Sequence, residues 1–293
     1  MKKILVVGAS GNMGSKVVSE LVALGAGVRV TVRAGSKPER VDALRAAGAE
    51  LVEADLSDEA SLERACAGID VVVSTVQGMR DVIVEGQTRL LRAAERAGVK
   101  RMMPSDYSLD FFKTKEGGNR NLDLRRELNR TLDGARVRGT SLLCGAFMDL
   151  LLGPMGPDPK TGHYKVWGDE GQVYDFTCTD DVAKFIAAAA LDDDAGRVVR
   201  VVGDSKSPLE IANIFGARIE NLGSLEVLEQ IIAKMRAADP AEGQTFPVWQ
   251  QLQYARDMAS GLGRLTPLDN ARYPSVHPEN VSDFLKARLN RRT

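Results

Sequence analysis

The sequence predicts an α/β protein with a Rossmann-like, doubly wound parallel sheet and a smaller C-terminal lobe. Three observations predict this fold class. Short β-branched runs alternate with segments of helical apolar spacing along most of the 293 residues. The run at 69–75 is rich in β-branched residues, as in a strand buried on both faces of a sheet. Three glycines also separate the first predicted strand from the first predicted helix.

These glycines predict a turn that binds a dinucleotide. An apolar strand at 4–7 precedes them, and residues 15–24 repeat apolar side chains at helical spacing. Gly8 permits a tight turn, Gly11 lets the backbone approach a pyrophosphate, and Gly14 lets the helix pack closely. The N–H groups at the start of the helix would face the phosphates. The expected cofactor contacts in this turn are Gly8, Ser10, Gly11, Asn12, Met13 and Gly14.

The end of the second predicted strand, residues 27–32, indicates which dinucleotide binds. An acidic residue about 20 positions beyond the glycines would bind the ribose 2′-hydroxyl of NAD. Arg33 stands there instead, nineteen positions after Gly14, and Lys37 follows it. Both favour a 2′-phosphate through charge-assisted hydrogen bonds, so NADP(H) is the expected cofactor. A solvated basic loop before a helix at 38–47 is the alternative.

Two further strand ends complete the expected cofactor site. Asp55 and Leu56 follow a predicted strand at 49–54 and are expected to flank the adenine, although an ordinary strand-to-helix loop fits their spacing equally well. Thr75 and Gln77 end the fourth strand and are expected to lie beneath the cofactor.

Residues 85–107 resemble the fourth helix and fifth strand of NmrA-like and isoflavone reductase-like proteins, which are atypical short-chain dehydrogenases/reductases. The resemblance covers most of residues 1–215. The matching residues are Gln87, the run Ala97-Gly98-Val99-Lys100-Arg101, Pro104-Ser105, the three glycines, Arg33 and Thr179–Ala183. The resemblance implies a doubly wound sheet, NADPH binding with Pro104 and Ser105 at the cofactor, and a smaller C-terminal substrate lobe.

The sequence departs from this family at two places. The family's reductases have Glu-Phe-Gly after the Pro-Ser pair, where this chain has Asp106-Tyr107-Ser108. They also carry a lysine in the next helix, and the matching residue here is Arg125. An arginine cannot act as a general base near neutral pH, but it can bind the ribose or stabilise a developing oxyanion. A solvated charged helix face is the alternative for Arg125, and Lys113 or Lys115 can replace the family's lysine.

Tyr107 is the second candidate catalytic residue. It follows the fifth strand, at the edge where open α/β sheets bind ligands, and its hydroxyl can donate to a substrate oxygen. The ordinary Tyr-x-x-x-Lys pair is absent, because Phe111 stands four positions later. Packing or anchoring of a loop is the alternative for Tyr107.

The chain is expected to form two domains. Residues 1–147 form the NADP-binding Rossmann domain, with 172–203 returning to the sheet region. Residues 148–171 and 204–293 form the smaller substrate-binding lobe. Phe147 and Met148 leave the sheet where they can line a pocket for an apolar or aromatic substrate, or can pack in a core.

The remaining pattern predicts further elements with less distinctive chemistry. They begin with a helix at 119–137, a strand at 140–144, and two strands at 163–167 and 172–177 joined by a turn. A helix at 182–191 capped by Asp180 and a strand at 197–202 follow. A further helix starts at Ser207-Pro208, with Ser207 as its cap and Glu210 in its first turn. Residues 222–264 are mostly helix, and a last helix at 278–289 has a basic end at Arg288, Arg291 and Arg292.

Composition excludes several classes of protein. The 39 basic and 40 acidic residues give a net charge of −1, which argues against a nucleic-acid surface. The three cysteines are far apart, so they are expected to be reduced thiols, and no metal site is expected. No run approaches the roughly 18 apolar residues of a membrane-spanning helix. A cytoplasmic protein that does not bind membranes is expected, as a monomer or homodimer.

The expected function is that of an NADPH-dependent oxidoreductase that delivers hydride to a small organic acceptor, with aromatic compounds among the candidates. The alternative is a non-catalytic NADP(H)-binding sensor whose protein partner responds to the state of the cofactor. Arg125 in place of the family's lysine keeps both alternatives open at this point.

Overall fold

The structure is a computed structural model that describes residues 1–241 and 243–289. Arg291 and Arg292, expected at the end of the last helix, lie outside these residues. The chain divides into two compact units. Unit 1 comprises Met1–Asp106, Leu124–Leu142 and Val182–Val199, and unit 2 comprises Tyr107–Asp123, Leu143–Asp181 and the chain from Arg200 onward.

Unit 1 contains a six-stranded parallel sheet in the order β3-β2-β1-β4-β5-β6. Its strands are β1 Lys3–Val7, β2 Gly27–Val32, β3 Glu50–Glu53, β4 Val71–Ser74, β5 Arg101–Met103 and β6 Arg138–Gly139. The strand order reverses direction between β1 and β4, which is where doubly wound sheets bind ligands. The predicted fold class is therefore confirmed.

The helices that accompany this sheet are α1 Asn12–Ala23, α2 Pro38–Ala46, α3 Glu59–Cys66, α4 Gln87–Arg96, α5 Arg120–Asp133 and α6 Thr179–Leu191. A π-helical turn, Asp81–Gly86, leads directly into α4. The apolar face of α1 is buried through Val17, Val18 and Leu21, as its helical spacing predicts. Leu5, Val72 and other sheet residues pack with apolar residues of α3 and α4 in one core cluster.

The strand expected at 140–144 lies at Ser141–Leu143, and the edge strand of the parallel sheet lies just before it. Arg138–Gly139 forms the edge of the parallel sheet, whereas β7 Ser141–Leu143 pairs with β11 Val198–Arg200 in a separate two-stranded sheet. The backbone changes partner between two adjacent residues. The Thr140 N–H donates to the Met102 carbonyl at 3.0 Å, and the Ser141 N–H donates to the Arg197 carbonyl at 2.9 Å.

Unit 2 contains short strands in two small sheets. One sheet has the order β12 Asp204–Lys206, β10 Tyr174–Thr177, β8 Ala146–Phe147, and the other pairs β13 Arg218–Asn221 with β9 His163–Val166. The strands at 163–167 and 172–177 do not pair with each other, so the expected turn between them does not close a hairpin. Strand β9 pairs with β13 instead, and Gly168 in the turn after β9 donates its N–H to the Gly223 carbonyl just beyond β13.

Helices α7 Pro208–Phe215, α8 Leu225–Ala238, α9 Val248–Ala259 and α10 Val281–Leu289 complete unit 2, with 3₁₀ turns at Met148–Leu152 and Asn270–Arg272. Ser207 caps α7 in a capping box with Glu210, as the sequence predicts. The core of this unit includes Phe176, Ile211 and Phe284. Within residues 1–241 and 243–289, every helix is too short or too polar to span a membrane.

Helix α6 begins earlier than the sequence predicts, so Asp180 lies inside its first turn and is not its cap. The carboxylate of Asp149 takes the capping position instead. It accepts hydrogen bonds from the Thr179 N–H at 2.8 Å and from the Thr179 hydroxyl at 3.0 Å. This acceptor comes from a segment 30 residues earlier in the chain.

Candidate functional site

Two of the three glycines in the turn after β1 cannot be replaced by a residue with a side chain without strain. Gly8 has a φ of +87°, which an L side chain rarely adopts. A Cβ on Gly14 would lie 2.3 Å from the Gly8 carbonyl oxygen and 2.7 Å from Oγ1 of Thr75. That Thr75 hydroxyl donates to the Val7 carbonyl at 3.0 Å and so fixes the end of β4 beside the turn.

The start of α1 is open to a ligand that accepts hydrogen bonds. Gly11 is the N-cap residue of α1 and contributes no capping side chain. Its backbone is extended, with φ −79° and ψ 168°, and a Cβ there would lie 3.2 Å from the Gly8 carbonyl oxygen. The first N–H groups of a helix carry partial positive charge, so a bare Gly11 suits an approaching phosphate.

The other expected cofactor residues follow the ends of the neighbouring strands. Because β3, β2, β1, β4 and β5 are adjacent and parallel, their carboxyl ends share one edge of the sheet. Unit 1 therefore brings all the expected cofactor residues to this edge: Gly8, Ser10, Gly11, Asn12, Met13, Gly14, Arg33, Lys37, Asp55, Leu56, Thr75, Gln77, Pro104 and Ser105.

A cavity of about 380 Å³ opens beside the ends of β2 and β3. Arg33, expected at the 2′-phosphate, and Asp55, expected at the adenine, both line it. Hydrogen bonds from Ser57 hold the pKa of Asp55 below its usual value, and the charge of Arg33 adds to this. The complete lining is Arg33, Ala34, Gly35, Ser36, Glu53, Ala54, Asp55, Asp58, Ser61 and Arg64.

Two contacts fix the loops around the expected cofactor site. Arg40 donates from Nη1 to the Ser10 carbonyl at 3.0 Å, which ties α2 to the glycine turn. Arg89 of α4 donates from Nε to the Leu56 carbonyl at 2.7 Å. Lys37 is exposed immediately before α2.

Gln87 supports the end of β5, a role that the sequence does not reveal. Its side chain is fully buried, and its Oε1 accepts a hydrogen bond from the Ser105 N–H at 3.1 Å. Its Nε2 donates to the Ile83 carbonyl at 2.9 Å. The Ser105 hydroxyl donates to the Val76 carbonyl at 2.7 Å, joining the ends of β4 and β5. In the sequence, Gln87 was notable only as a residue that matches the family.

Asp106 is the second residue whose role the sequence does not reveal. It is fully buried, and its Oδ2 accepts a hydrogen bond from Nδ2 of Asn129 at 2.8 Å and lies 2.7 Å from the Ser141 hydroxyl. Burial raises the pKa of Asp106, although these hydrogen bonds and the charges of Arg125 and Arg197 oppose the shift.

The Ser141 hydroxyl lies at the centre of the hydrogen bonds around Asp106. The Ser141 oxygen accepts from Nη1 of Arg197 at 2.9 Å and lies 2.9 Å from Oδ1 of Asn129. A hydroxyl has one proton, so it cannot donate to both Asn129 and Asp106. Oδ1 of Asn129 already accepts from Nη2 of Arg197 at 2.6 Å, so the Ser141 proton is available to Oδ2 of Asp106.

Arg125 lies against the same edge of the sheet. It donates from Nε to the Ser105 carbonyl at 3.1 Å, which holds its positive charge beside two expected cofactor residues, Pro104 and Ser105. Lys113 is unavailable as a replacement for the family's lysine, because its Nζ donates to the carbonyls of Arg264 at 3.0 Å and Thr266 at 2.8 Å. Lys115 is exposed.

The remaining site candidates belong to unit 2. Tyr107 is half-buried and follows Asp106 directly along the chain. Phe147 is half-buried at the end of β8, whereas Met148 is fully buried in the apolar core of unit 2. Burial favours a packing role for Met148, and the substrate contacts expected of Phe147 and Met148 stay predictions.

In the described part of the chain, neither the cysteines nor a group of metal ligands provides a further candidate site. Burial raises the pKa of the Cys66 and Cys178 thiols to about 12, and it also raises the pKa of Cys144. Across residues 1–241 and 243–289, no three His, Cys, Asp or Glu side chains are grouped so that they could hold a metal ion.

Comparison of the sequence with known proteins identifies the family of this chain. The model of the NmrA-like family matches residues 1–255. The chain belongs to the NmrA-like family. It is 30% identical over 205 residues to a bifunctional pinoresinol-lariciresinol reductase of Linum perenne, covering 65% of each chain. It is 34% identical over 202 residues to an isoflavone reductase homolog of Zea mays, covering 65% of this chain and 64% of the relative. The sequence match thus spans just under two thirds of these relatives' length.

Solved structures of NmrA-like proteins match over more of the chain. A crystal structure of isoflavone reductase has a TM-score of 0.82 and 22% identity, over 98% of this chain and 99% of that chain. The structure of AtPrR2 with NADP⁺ and (+)-pinoresinol has a TM-score of 0.78 and 25% identity, over 98% of both chains. The first likeness shows the shared fold alone.

Proposed function

We propose that this protein is an NADPH-dependent reductase of the isoflavone reductase type that acts on a small aromatic acceptor. The observation that carries the proposal is the glycine turn at the sheet edge, with Arg33 at the end of the next strand. The named activities of the relatives, pinoresinol-lariciresinol reductase and isoflavone reductase homolog, support the same class of reaction. The bound NADP⁺ and (+)-pinoresinol in a structural neighbour support the cofactor and an aromatic substrate.

The residues of unit 1 fit NADPH. A Cβ on Gly14 would clash with backbone atoms, so this position requires glycine. The N-terminus of α1 offers N–H groups to a pyrophosphate. Arg33 would bind the 2′-phosphate and Asp55 with Leu56 would flank the adenine. Thr75, Pro104 and Ser105 would support the rest of the cofactor at the ends of β4 and β5.

NADPH supplies the hydride, and the protein's own residues position the reactants and stabilise charge. Arg125 stays protonated and therefore serves as a fixed positive charge, held by the Ser105 carbonyl, for the ribose or for a developing oxyanion. Tyr107 donates its phenolic hydrogen bond to the substrate oxygen. Phe147 offers an aromatic face to an aromatic substrate.

The proposal is tested in two steps with the full chain. Calorimetry first measures binding of NADPH and NADH. NADPH oxidation is then followed across a panel of lignans, isoflavonoids, quinones and enones. The reductase proposal requires NADPH to bind more tightly than NADH and at least one aromatic compound to be reduced. Tight NADPH binding without turnover of any compound would contradict it and would favour the sensor alternative.

Replacing Tyr107 with phenylalanine tests the catalytic donor. Removing one preorganised donor typically lowers turnover by about 10²–10³-fold, so Tyr107→Phe should lose kcat to that extent and keep the parent's NADPH affinity. Steady-state kinetics with the best acceptor and calorimetry with NADPH make the two measurements. Tyr254→Phe, in a ring pair with Phe246, serves as the control and should keep full turnover. Undiminished kcat in Tyr107→Phe would return Tyr107 to a packing role.

A further inference from the structure

The cavity at the ends of β2 and β3 has two arginines in its lining. Arg33 comes from the loop after β2, and Arg64 comes from α3. Asp58, Ser61 and Arg64 are spaced three residues apart, so they share one face of α3, and all three line the cavity. The helix that follows the expected adenine loop thus also supplies a cation to the same space.

Neither guanidinium group makes a short contact with a protein group in the described part of the chain, although the charge of Arg33 lowers the pKa of Asp55. Three other arginines of unit 1 are paired: Arg29 with Glu50 at 2.9 Å, Arg45 with Asp42 at 2.6 Å and Arg96 with Glu59 at 2.9 Å. Arg33 and Arg64 make no ion pair within 4.0 Å and no side-chain hydrogen bond, although carboxylates line the same cavity.

Two of those carboxylates are already occupied by local hydrogen bonds. Asp58 caps α3 by accepting from the Ala60 and Ser61 N–H groups. Asp55 accepts from the Ser57 N–H at 2.8 Å and from the Ser57 hydroxyl at 2.6 Å. These local bonds use Oδ1 of each aspartate, and the two guanidinium groups keep their hydrogen-bond donors for a ligand because neither donates to a protein group among the described residues.

The charge of the cavity limits which anion can bind. Two arginines stand against three carboxylates, Glu53, Asp55 and Asp58, so a free inorganic anion gains little from the cavity as a whole. A phosphate attached to a dinucleotide is different, because the glycine turn and α1 supply binding energy elsewhere. The carboxylates can in turn accept a hydrogen bond from the exocyclic amine of adenine.

We propose that Arg64 is a second ligand of the cofactor's 2′-phosphate, together with Arg33 in the lining of this cavity. Arg64 thereby determines the preference for NADPH over NADH together with Arg33. The inference rests on the proposed binding of NADPH, and it assigns a role to a helix residue that the sequence pattern around the glycines does not mark.

Direct binding measurements test this role without any need for turnover. Calorimetry is performed with NADPH, NADH and inorganic phosphate on the parent, Arg33→Ala, Arg64→Ala and Arg45→Ala. A charge-assisted hydrogen bond contributes enough for Arg64→Ala to lower NADPH affinity about tenfold or more and to leave NADH affinity unchanged. Arg33→Ala should show the same selective loss. Arg45→Ala removes an equal charge outside the cavity and should retain the parent's affinities.

The outcomes separate this inference from the proposed reductase function. An Arg64→Ala variant with the parent's NADPH affinity, alongside a weakened Arg33→Ala, would overturn the role of Arg64 alone. Equal losses for NADPH and NADH in Arg64→Ala would also overturn it, since they would indicate damage to the fold. NADPH binding that depends on Arg64 in a protein without reductase activity would support Arg64 and contradict the reductase. A parent that does not bind NADPH would overturn both.

Discussion

The three glycines of the turn after β1 are each required for a different structural reason or to a different degree. Gly8 is required by its positive φ, and Gly14 by the backbone that would meet its Cβ at 2.3 Å. Gly11 has an ordinary extended backbone, and its nearest Cβ contact would be 3.2 Å. Of the three glycines, Gly11 is therefore the one that the fold constrains least.

We predict that Gly11→Val abolishes or greatly weakens NADPH binding and changes stability little, because its branched side chain would occupy the space that the pyrophosphate needs. Gly14→Val should instead lower the free energy of unfolding by about 1–3 kcal/mol or more, as expected for overpacking. Calorimetry with NADPH and urea unfolding of both variants make the comparison. A Gly11→Val variant that binds NADPH as the parent does would contradict the predicted phosphate site.

Single residues were predictable where a motif carries its own chemistry. The positive φ of Gly8 and the exposed position of Arg33 after β2 both follow from local sequence. The roles of Gln87 and Asp106 do not, because their partners lie far along the chain. Gln87 binds a residue 18 positions away, and Asp106 lies within hydrogen-bond distance of residues 23 and 35 positions away. Such pairs depend on the tertiary fold, which local spacing does not specify.

At the scale of elements, capping shows the same division between local and distant partners. The capping box of α7 lies within four residues, Ser207 to Glu210, and was predicted correctly. The expected cap of α6, Asp180, was wrong because a distant carboxylate, Asp149, bonds to Thr179 at the helix start. A second distant interaction, between the Gly168 N–H and the Gly223 carbonyl, connects the turn expected at this point to a segment more than 50 residues later.

Asp149→Ala should destabilise the protein by about 1–2 kcal/mol, since it leaves the Thr179 N–H without its acceptor and removes a negative charge at the positive end of α6. Asp149→Asn keeps an acceptor but loses the charge, so it should fall between the parent and Asp149→Ala. Urea unfolding measures the free energies. Asp180→Ala is the matched control, and a larger loss in that variant than in Asp149→Ala would show that Asp180 is the important acid.

At the scale of the whole molecule, the compact units have different boundaries from the expected domains. Residues 107–123 were expected in the Rossmann domain but belong to unit 2. The Asp110 N–H donates to the Gly263 carbonyl at 2.9 Å, and Asn119 donates to the Asp257 carboxylate at 2.9 Å. These bonds join the segment to residues more than a hundred positions later, which is why the sequence does not reveal its place. The assignment of cofactor and substrate roles to the two units stays a prediction.

The buried carboxyl group of Asp106 makes the stability of the whole molecule depend on pH. The folded state keeps Asp106 protonated to a higher pH than the unfolded chain does, because burial raises its pKa. Above about pH 3.9, the unfolded chain therefore binds fewer protons at this position, and stability falls as pH rises toward the folded pKa. The loss has an upper limit of about 1.4 kcal/mol per pH unit from this one group. The opposite sign holds for Asp70, whose pKa is lowered by the hydrogen bond that it accepts from the Lys3 N–H.

We therefore predict that Asp106→Asn removes a decline of stability with pH, whatever its effect at a single pH. The free energy of unfolding is measured by urea titration from about pH 2 to about pH 8 in the parent, Asp106→Asn and Asp70→Asn. The difference between the parent and Asp106→Asn should shift in favour of the variant as pH rises, because the variant has no proton to retain. The difference for Asp70→Asn should shift in favour of the parent when pH rises from the folded pKa of Asp70 toward its unfolded value. A parent and Asp106→Asn with parallel pH profiles would mean that Asp106 is ionised in the folded protein, with Ser141 donating to it.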